Sequence, residues 1–161
     1  MLEQAASGAV RLDDLETMAR LAARLAAVSR AGDAILLSGE LGAGKTTFAR
    51  AFLRALGIAE EVPSPTFLLM LPYETDALTV FHADLYRLAG PEETQELGLD
   101  AALAAGVLLL EWPERLGCRL PAERLHLTLR FSGEGETRLL AWHAVGATGR
   151  RLAAALAGRL P

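Results

Sequence analysis

Eight consecutive residues, Gly39-Glu40-Leu41-Gly42-Ala43-Gly44-Lys45-Thr46, match the pattern G-x-x-x-x-G-K-[ST]. Each residue type there serves one kind of chemistry. Glycines let the backbone curl until successive N–H groups, from Gly39 through Gly44, point inward at phosphate oxygens. A helix that begins near Lys45 adds its positive N-terminal end. The Lys45 ammonium can reach β- and γ-phosphates, and the Thr46 hydroxyl can ligate Mg²⁺. The pattern predicts a bound nucleoside triphosphate, ATP with Mg²⁺. The rival reading is a chance glycine-rich turn, and the flanking segments argue against it. The chain has sixteen basic residues, of which Lys45 is the only lysine. A slim ammonium fits a nest of backbone groups where a planar guanidinium does not.

A phosphate loop of this kind needs a carboxylate for the metal at the end of a neighbouring apolar strand. Two segments offer one: Val107-Leu108-Leu109-Leu110-Glu111 and Val80-Phe81-His82-Ala83-Asp84. In open α/β sheets ligands sit at the carboxyl ends of strands, which favours a role for both acids. The rival reading for each is an ordinary strand-end acid in a solvated loop.

The elements that must hold these residues follow from periodicity. Leu12, Leu15, Met18, Ala22 and Leu25 recur at helical spacing, with Asp13 or Asp14 as cap, so a helix is expected at about 13–30. Ala34–Ser38 is a short buried strand, and Thr46–Leu56 a helix stopped by Gly57. Strands are expected at Phe67–Tyr73, Thr79–Asp84 and Gly106–Glu111, with one helix from Pro91 to about Leu103. Leu125, Leu127, Leu129 and Phe131 alternate with polar residues, and Arg138–Val145 returns after Gly133-Glu134-Gly135, which reads as an antiparallel hairpin. A closing helix is expected at Arg150–Leu160. The sum is a three-layer α/β/α fold, its central sheet largely parallel with antiparallel edge strands, in one domain over 1–161.

Composition narrows the setting. A net charge of −4 without a basic block makes a poor stand-alone DNA or RNA binder. One cysteine, Cys118, allows no internal disulfide, and no apolar stretch approaches the ~20 residues of a membrane span. A cytoplasmic protein is expected.

Taken together, GELGAGKTTF (39–48), SPTF (64–67), HADLYR (82–87), the PEE…LG stretch from Pro91 to Gly98 and EWP (111–113) resemble the TsaE (YjeE) family. Those are P-loop ATPases needed to make threonylcarbamoyladenosine (t6A) in tRNA. The pieces occur in the family's order, and the combination is more specific than the P-loop alone. The resemblance implies P-loop roles for Lys45, Thr46 and Thr47, and Glu111 as Mg²⁺ ligand. It implies Asp84 as the essential acid near the attacking water, and Ser64-Pro65-Thr66 as a switch loop answering to the γ-phosphate. Trp112 and Tyr86 become nucleotide-proximal or partner-facing. It further implies TsaB and TsaD as partners, with tRNA held indirectly through that complex.

Blander readings stand beside several of these. Thr66 also suits a plain turn and Trp112 a packed sheet end. His82 could orient Asp84, move a proton or be structural. Arg87 is read as a loop-ordering salt bridge rather than an arginine finger. Cys118, His126, Trp142 and His143 lack partners at metal-ligand spacing and are read as structural. Arg150, Arg151 and Arg159 read as a solvated helix face. The alternative activity is a small-molecule kinase of the P-loop class, although Arg87 and Arg115 are the only arginines between 60 and 115, which is thin for a phosphate-covering lid.

Overall fold

The computed structural model describes residues 7–63, 69–133 and 135–158. One seven-stranded sheet organises them, in the order β1-β7-β6-β2-β5-β4-β3. Its centre, β6 (Arg124–Phe131), β2 (Ala34–Gly39), β5 (Val107–Glu111) and β4 (Thr79–Asp84), is parallel. The edges are antiparallel: β3 (Met70–Glu74) on β4, and β7 (Arg138–Val145) between β6 and β1 (Ser7–Leu12).

Covering both faces requires that the central strands be apolar throughout, and β2 and β5 are. Ile35 and Leu37 point to the layer of α1 (Leu15–Val28), α2 (Lys45–Ala55) and α4 (Gly146–Ala157). Leu36, Leu108 and Leu110 point to the opposite layer, with α3 (Leu99–Ala105) and the 3-10 segment Pro113–Arg119. Asp14 caps α1 through its carboxylate on the Thr17 N–H, 2.7 Å away.

Several local expectations are corrected. The helix expected from Pro91 to Leu103 is two pieces, a 3-10 turn over Pro91–Leu97 and then α3. Gly98 divides them because it adopts the left-handed conformation, φ 70°. Leu12 ends strand β1 instead of leading α1, and β1 itself has no counterpart among the expected elements. Phe131 does not share the buried face of Leu125, Leu127 and Leu129. It is 48% exposed, with the Arg138 guanidinium stacked 4.2 Å from its ring centre. Strand β3 runs one residue past Tyr73, while Phe67 lies outside the described residues. Arg151 is no solvated residue: it pairs with the buried Asp33 and donates to Val28 O at 2.7 Å, which ties α4 to the α1–β2 turn. Arg159 lies outside the described residues.

Helix α4 lies so close to β6 that a Cβ on Gly149 would stand 2.2 Å from the Arg124 carbonyl oxygen. Alanine at this helical position gains about 1 kcal/mol in propensity, but overpacking against backbone costs about 1–3 kcal/mol. Gly149→Ala is therefore expected to lower stability in urea denaturation, against the propensity scale; an unchanged or raised midpoint would refute the close packing.

Candidate functional site

The carboxyl ends of β2, β4 and β5 meet at one rim. In the ladders Leu37 stands opposite Glu111, and Glu111 opposite Asp84. The loop 39–44 leaves that rim from β2. Gly39, Gly42 and Gly44 have φ of 146°, 83° and 113°, values that favour glycine. Gly39 has a second reason to be glycine, because a Cβ there would meet Leu129 O at 2.4 Å. The Ala43 N–H closes a turn on Glu40 O at 3.0 Å. Helix α2 then starts at Lys45, so its first N–H groups open toward the loop without acceptors in the helix.

Lys45 is buried, and its Nζ donates to Gly39 O at 2.6 Å and to Glu40 O at 2.8 Å. The same ammonium lies 4.4 Å from the centre of the Trp112 ring. Burial pulls the lysine below its ordinary pKa, and the charges of Glu111, Asp84 and Glu114 oppose that pull.

Thr46 Oγ1 donates to Glu111 Oε1 at 2.8 Å. The other carboxylate oxygen, Oε2, lies 2.6 Å from His82 Nε2. Asp84 Oδ1 accepts from the Tyr86 N–H at 3.0 Å, and the Tyr86 and Trp112 rings stand 4.9 Å apart. A cleft of 330 Å³ opens between these groups, with Leu41, Gly42 and Gly44 through Thr47 on one side and Asp84, Tyr86, Glu111 and Trp112 on the other. The expected residues are thus brought to one place. Thr66, with Ser64 and Pro65, lies outside the described residues. Arg87 is exposed just beyond β4.

The arrangement suits an anion held by backbone N–H groups and an ammonium, with a hard cation beside it. Thr46 and Glu111 supply oxygen donors of the kind Mg²⁺ takes. Among the described residues no group of three or more His, Cys, Asp or Glu gathers to hold a metal. A cation here would complete its shell with ligand oxygens and water, as Mg²⁺ does beside phosphates.

A protein-family comparison matches residues 12–139 to the description "Threonylcarbamoyl adenosine biosynthesis protein TsaE". The chain belongs to the TsaE family. A Bacillus subtilis relative, described as tRNA threonylcarbamoyladenosine biosynthesis protein TsaE, is 38% identical over 138 residues, covering 85% of this chain and 84% of the relative. A Streptomyces coelicolor relative of the same description is 43% identical over 115 residues, covering 70% and 78%. The crystal structure of Bacillus subtilis YdiB superposes with a TM-score of 0.80 at 33% identity over 93% of both chains. The three-layer P-loop fold and the place in t6A biosynthesis are those of a TsaE-family protein, and the matched region contains every residue of the cleft. No helix among the described residues is long and apolar enough to cross a membrane.

Three features escaped the sequence reading. His82 contacts Glu111, not the nearer-in-sequence Asp84. Ser38, the residue before the loop, has its Oγ 2.6 Å from His126 Nε2. The start of α1, with Asp14, Leu15 and Met18, reaches the far side of the loop and forms a second cleft of 120 Å³ with Gly42, Gly44 and Thr47. Each depends on strand register or helix docking between distant segments. The alternation of β6, which places His126 off its apolar face, was one hint. The other was the start of the N-terminal helix, which lines the nucleotide pocket in the family the chain resembles; Glu16-Thr17 is spaced differently here, so that role was not carried over.

Burial holds the His126 pKa below 6.5; Glu114 opposes this, while Arg124 and His143 add to it. The folded state therefore prefers the neutral ring, and the unfolded chain binds more protons as pH falls below about 6.5. Stability is expected to decline through that window. A His126→Gln variant should decline less between about pH 7 and about pH 5, as melting temperatures would report; parallel declines would remove His126 as a cause.

Proposed function

We propose that this TsaE-family protein binds and hydrolyses Mg²⁺·ATP and serves t6A modification of tRNA in the cytoplasm together with TsaB and TsaD. The observation that carries the nucleotide reading is the convergence of Lys45, Thr46, Asp84 and Glu111 on one cleft at the mouth of a glycine-built loop. ATP as the nucleotide, TsaB and TsaD as partners, and tRNA as the object of the complex follow from the family resemblance.

The roles follow from the atoms. N–H groups of Gly42, Gly44, Lys45 and Thr46 bind phosphate oxygens. Lys45 exchanges its present acceptors, Gly39 O and Glu40 O, for β- and γ-phosphate oxygens. Thr46 spends its hydroxyl proton on Glu111 and so turns oxygen lone pairs to the cleft. Thr46 and Glu111 would hold Mg²⁺, which would supply positive charge beside the phosphates. Asp84, on the neighbouring strand end, orients the attacking water and accepts its proton. Trp112 and Tyr86 wall the cleft opposite the loop, and Trp112 steadies the ammonium. The cleft at Leu15 and Met18 shares Gly42, Gly44 and Thr47 with the phosphate side, and its apolar surface suits a base.

Lys45→Ala removes the one ammonium of the loop, and charge-assisted hydrogen bonds are worth about 1.5–3 kcal/mol, so Mg²⁺·ATP affinity should fall tenfold or more in calorimetry. Normal binding would overturn the site. Asp84→Ala should keep affinity and lose about 10²–10⁴-fold in turnover; surviving turnover would make Asp84 structural. Phosphate release measured alone and with TsaB, TsaD and tRNA tests the partnership: slow release alone, with tRNA modification only in the complex, is expected. Transfer of labelled phosphate to a small metabolite would instead establish the kinase alternative.

A further inference from the structure

We propose that His82 is a positioning residue for the cation side of the cleft: its Nε2–H holds the Glu111 carboxylate in the orientation that serves Thr46 and Mg²⁺. The inference rests on Thr46 and Glu111 being the cation-side pair.

Both partners are out of water. His82 is 0% exposed and Glu111 1%. A buried carboxylate needs hydrogen bonds on both oxygens to offset its desolvation. Oε1 receives the Thr46 hydroxyl at 2.8 Å, and Oε2 stands 2.6 Å from His82 Nε2. The two contacts come from different elements, the start of α2 and β4, and each engages a different carboxylate oxygen, so together they restrict the rotamer.

Among the described residues, the other ring nitrogen of His82, the buried Nδ1, has no hydrogen-bond partner. A proton on Nδ1 would be an orphan donor, which is costly, whereas an unpaired lone pair costs less. A proton on Nε2, facing Glu111 Oε2, is the placement that fits the contacts. In the ladder His82 stands opposite the fully buried Leu109, and Val80, two residues earlier on the same face, is buried in the helix-side core. An apolar side chain would satisfy packing there without an unpaired nitrogen. What the histidine adds is one N–H, and it is spent on Glu111. Partners one step behind a metal ligand typically govern about 10–100-fold in metal affinity.

The test compares wild type, His82→Gln and His82→Leu. Glutamine can return an N–H to Oε2; leucine cannot. ADP affinity is measured by calorimetry in excess Mg²⁺ and again in EDTA, and the ratio of the two is the readout. His82→Leu is expected to lose about tenfold or more of the Mg²⁺ advantage while its affinity in EDTA stays at the wild-type value. His82→Gln should keep most of that advantage. A leucine variant with the full Mg²⁺ advantage, or one whose loss glutamine does not repair, overturns the proposal. A wild type that binds ADP equally with and without Mg²⁺ overturns the cation-side pair beneath it, so the two failures are told apart. Should leucine prevent folding, NMR of isotope-labelled wild type decides: a proton on Nε2 whose resonance moves with Mg²⁺ and ADP, but not with ADP in EDTA, is expected. A ring protonated on Nδ1, or one insensitive to Mg²⁺, overturns the assignment.

Discussion

The site depends on strand register. Parallel hydrogen bonding sets Leu37 of β2 and Asp84 of β4 opposite Glu111 of β5. Two acids and the root of the glycine loop therefore end at the same height on three adjacent strands. A slip of one residue would turn Glu111 to the other face of the sheet. The Leu85 N–H on Glu111 O at 3.1 Å and the Trp112 N–H on Leu37 O at 3.2 Å carry the pairing one step beyond the strands. The chain can then diverge into loops while the side chains at the rim stay aligned.

That rim collects more charge than a protein interior tolerates without partners. Lys45, Asp84 and Glu111 are all buried, and each is held by hydrogen bonds or charge. The lysine shows the balance most clearly. Burial disfavours its charged form, and the three nearby carboxylates favour it. Two backbone carbonyls and an aromatic face complete its surroundings. These contacts are weaker than those a phosphate could give, because a carbonyl carries only a partial charge. The backbone N–H groups of the loop and its buried ammonium thus suit an anion.

Much of this was legible before any coordinates. Apolar runs ending in an acid located β4 and β5, and a glycine pattern after an apolar run located the loop and α2. Alternation marked the β6–β7 hairpin. The misses share a physical origin, since they depend on contacts between segments far apart in sequence. Strand β1 has glycine at position 8 because the Trp142 ring lies where a Gly8 Cβ would be, 2.3 Å away. Small residues carry little strand signal. Gly98 could be read as an ordinary helix interruption, but its left-handed backbone makes it a boundary. Phe131 broke its alternation at the last position of β6, where its exposed ring stacks with Arg138 from the paired strand. The link from His82 to Glu111 follows from the pairing of β4 with β5, which periodicity along one chain does not encode.

The β6–β7 hairpin bears on the loop as directly as the acid-bearing strands do. Leu129 of β6 presses its carbonyl against Gly39 so closely that only glycine fits. Arg138, the first residue of β7, donates to Ala43 O at 3.3 Å from the other side of the loop, and Phe131 supports its guanidinium. Met18 of α1 completes the enclosure, 3.2 Å from where a Gly44 Cβ would be. The loop is therefore gripped at its first, fifth and sixth residues by three elements that take no part in the acid cluster. Glycines give a loop freedom that must be taken away again if its N–H groups are to converge. The hairpin and α1 take it away.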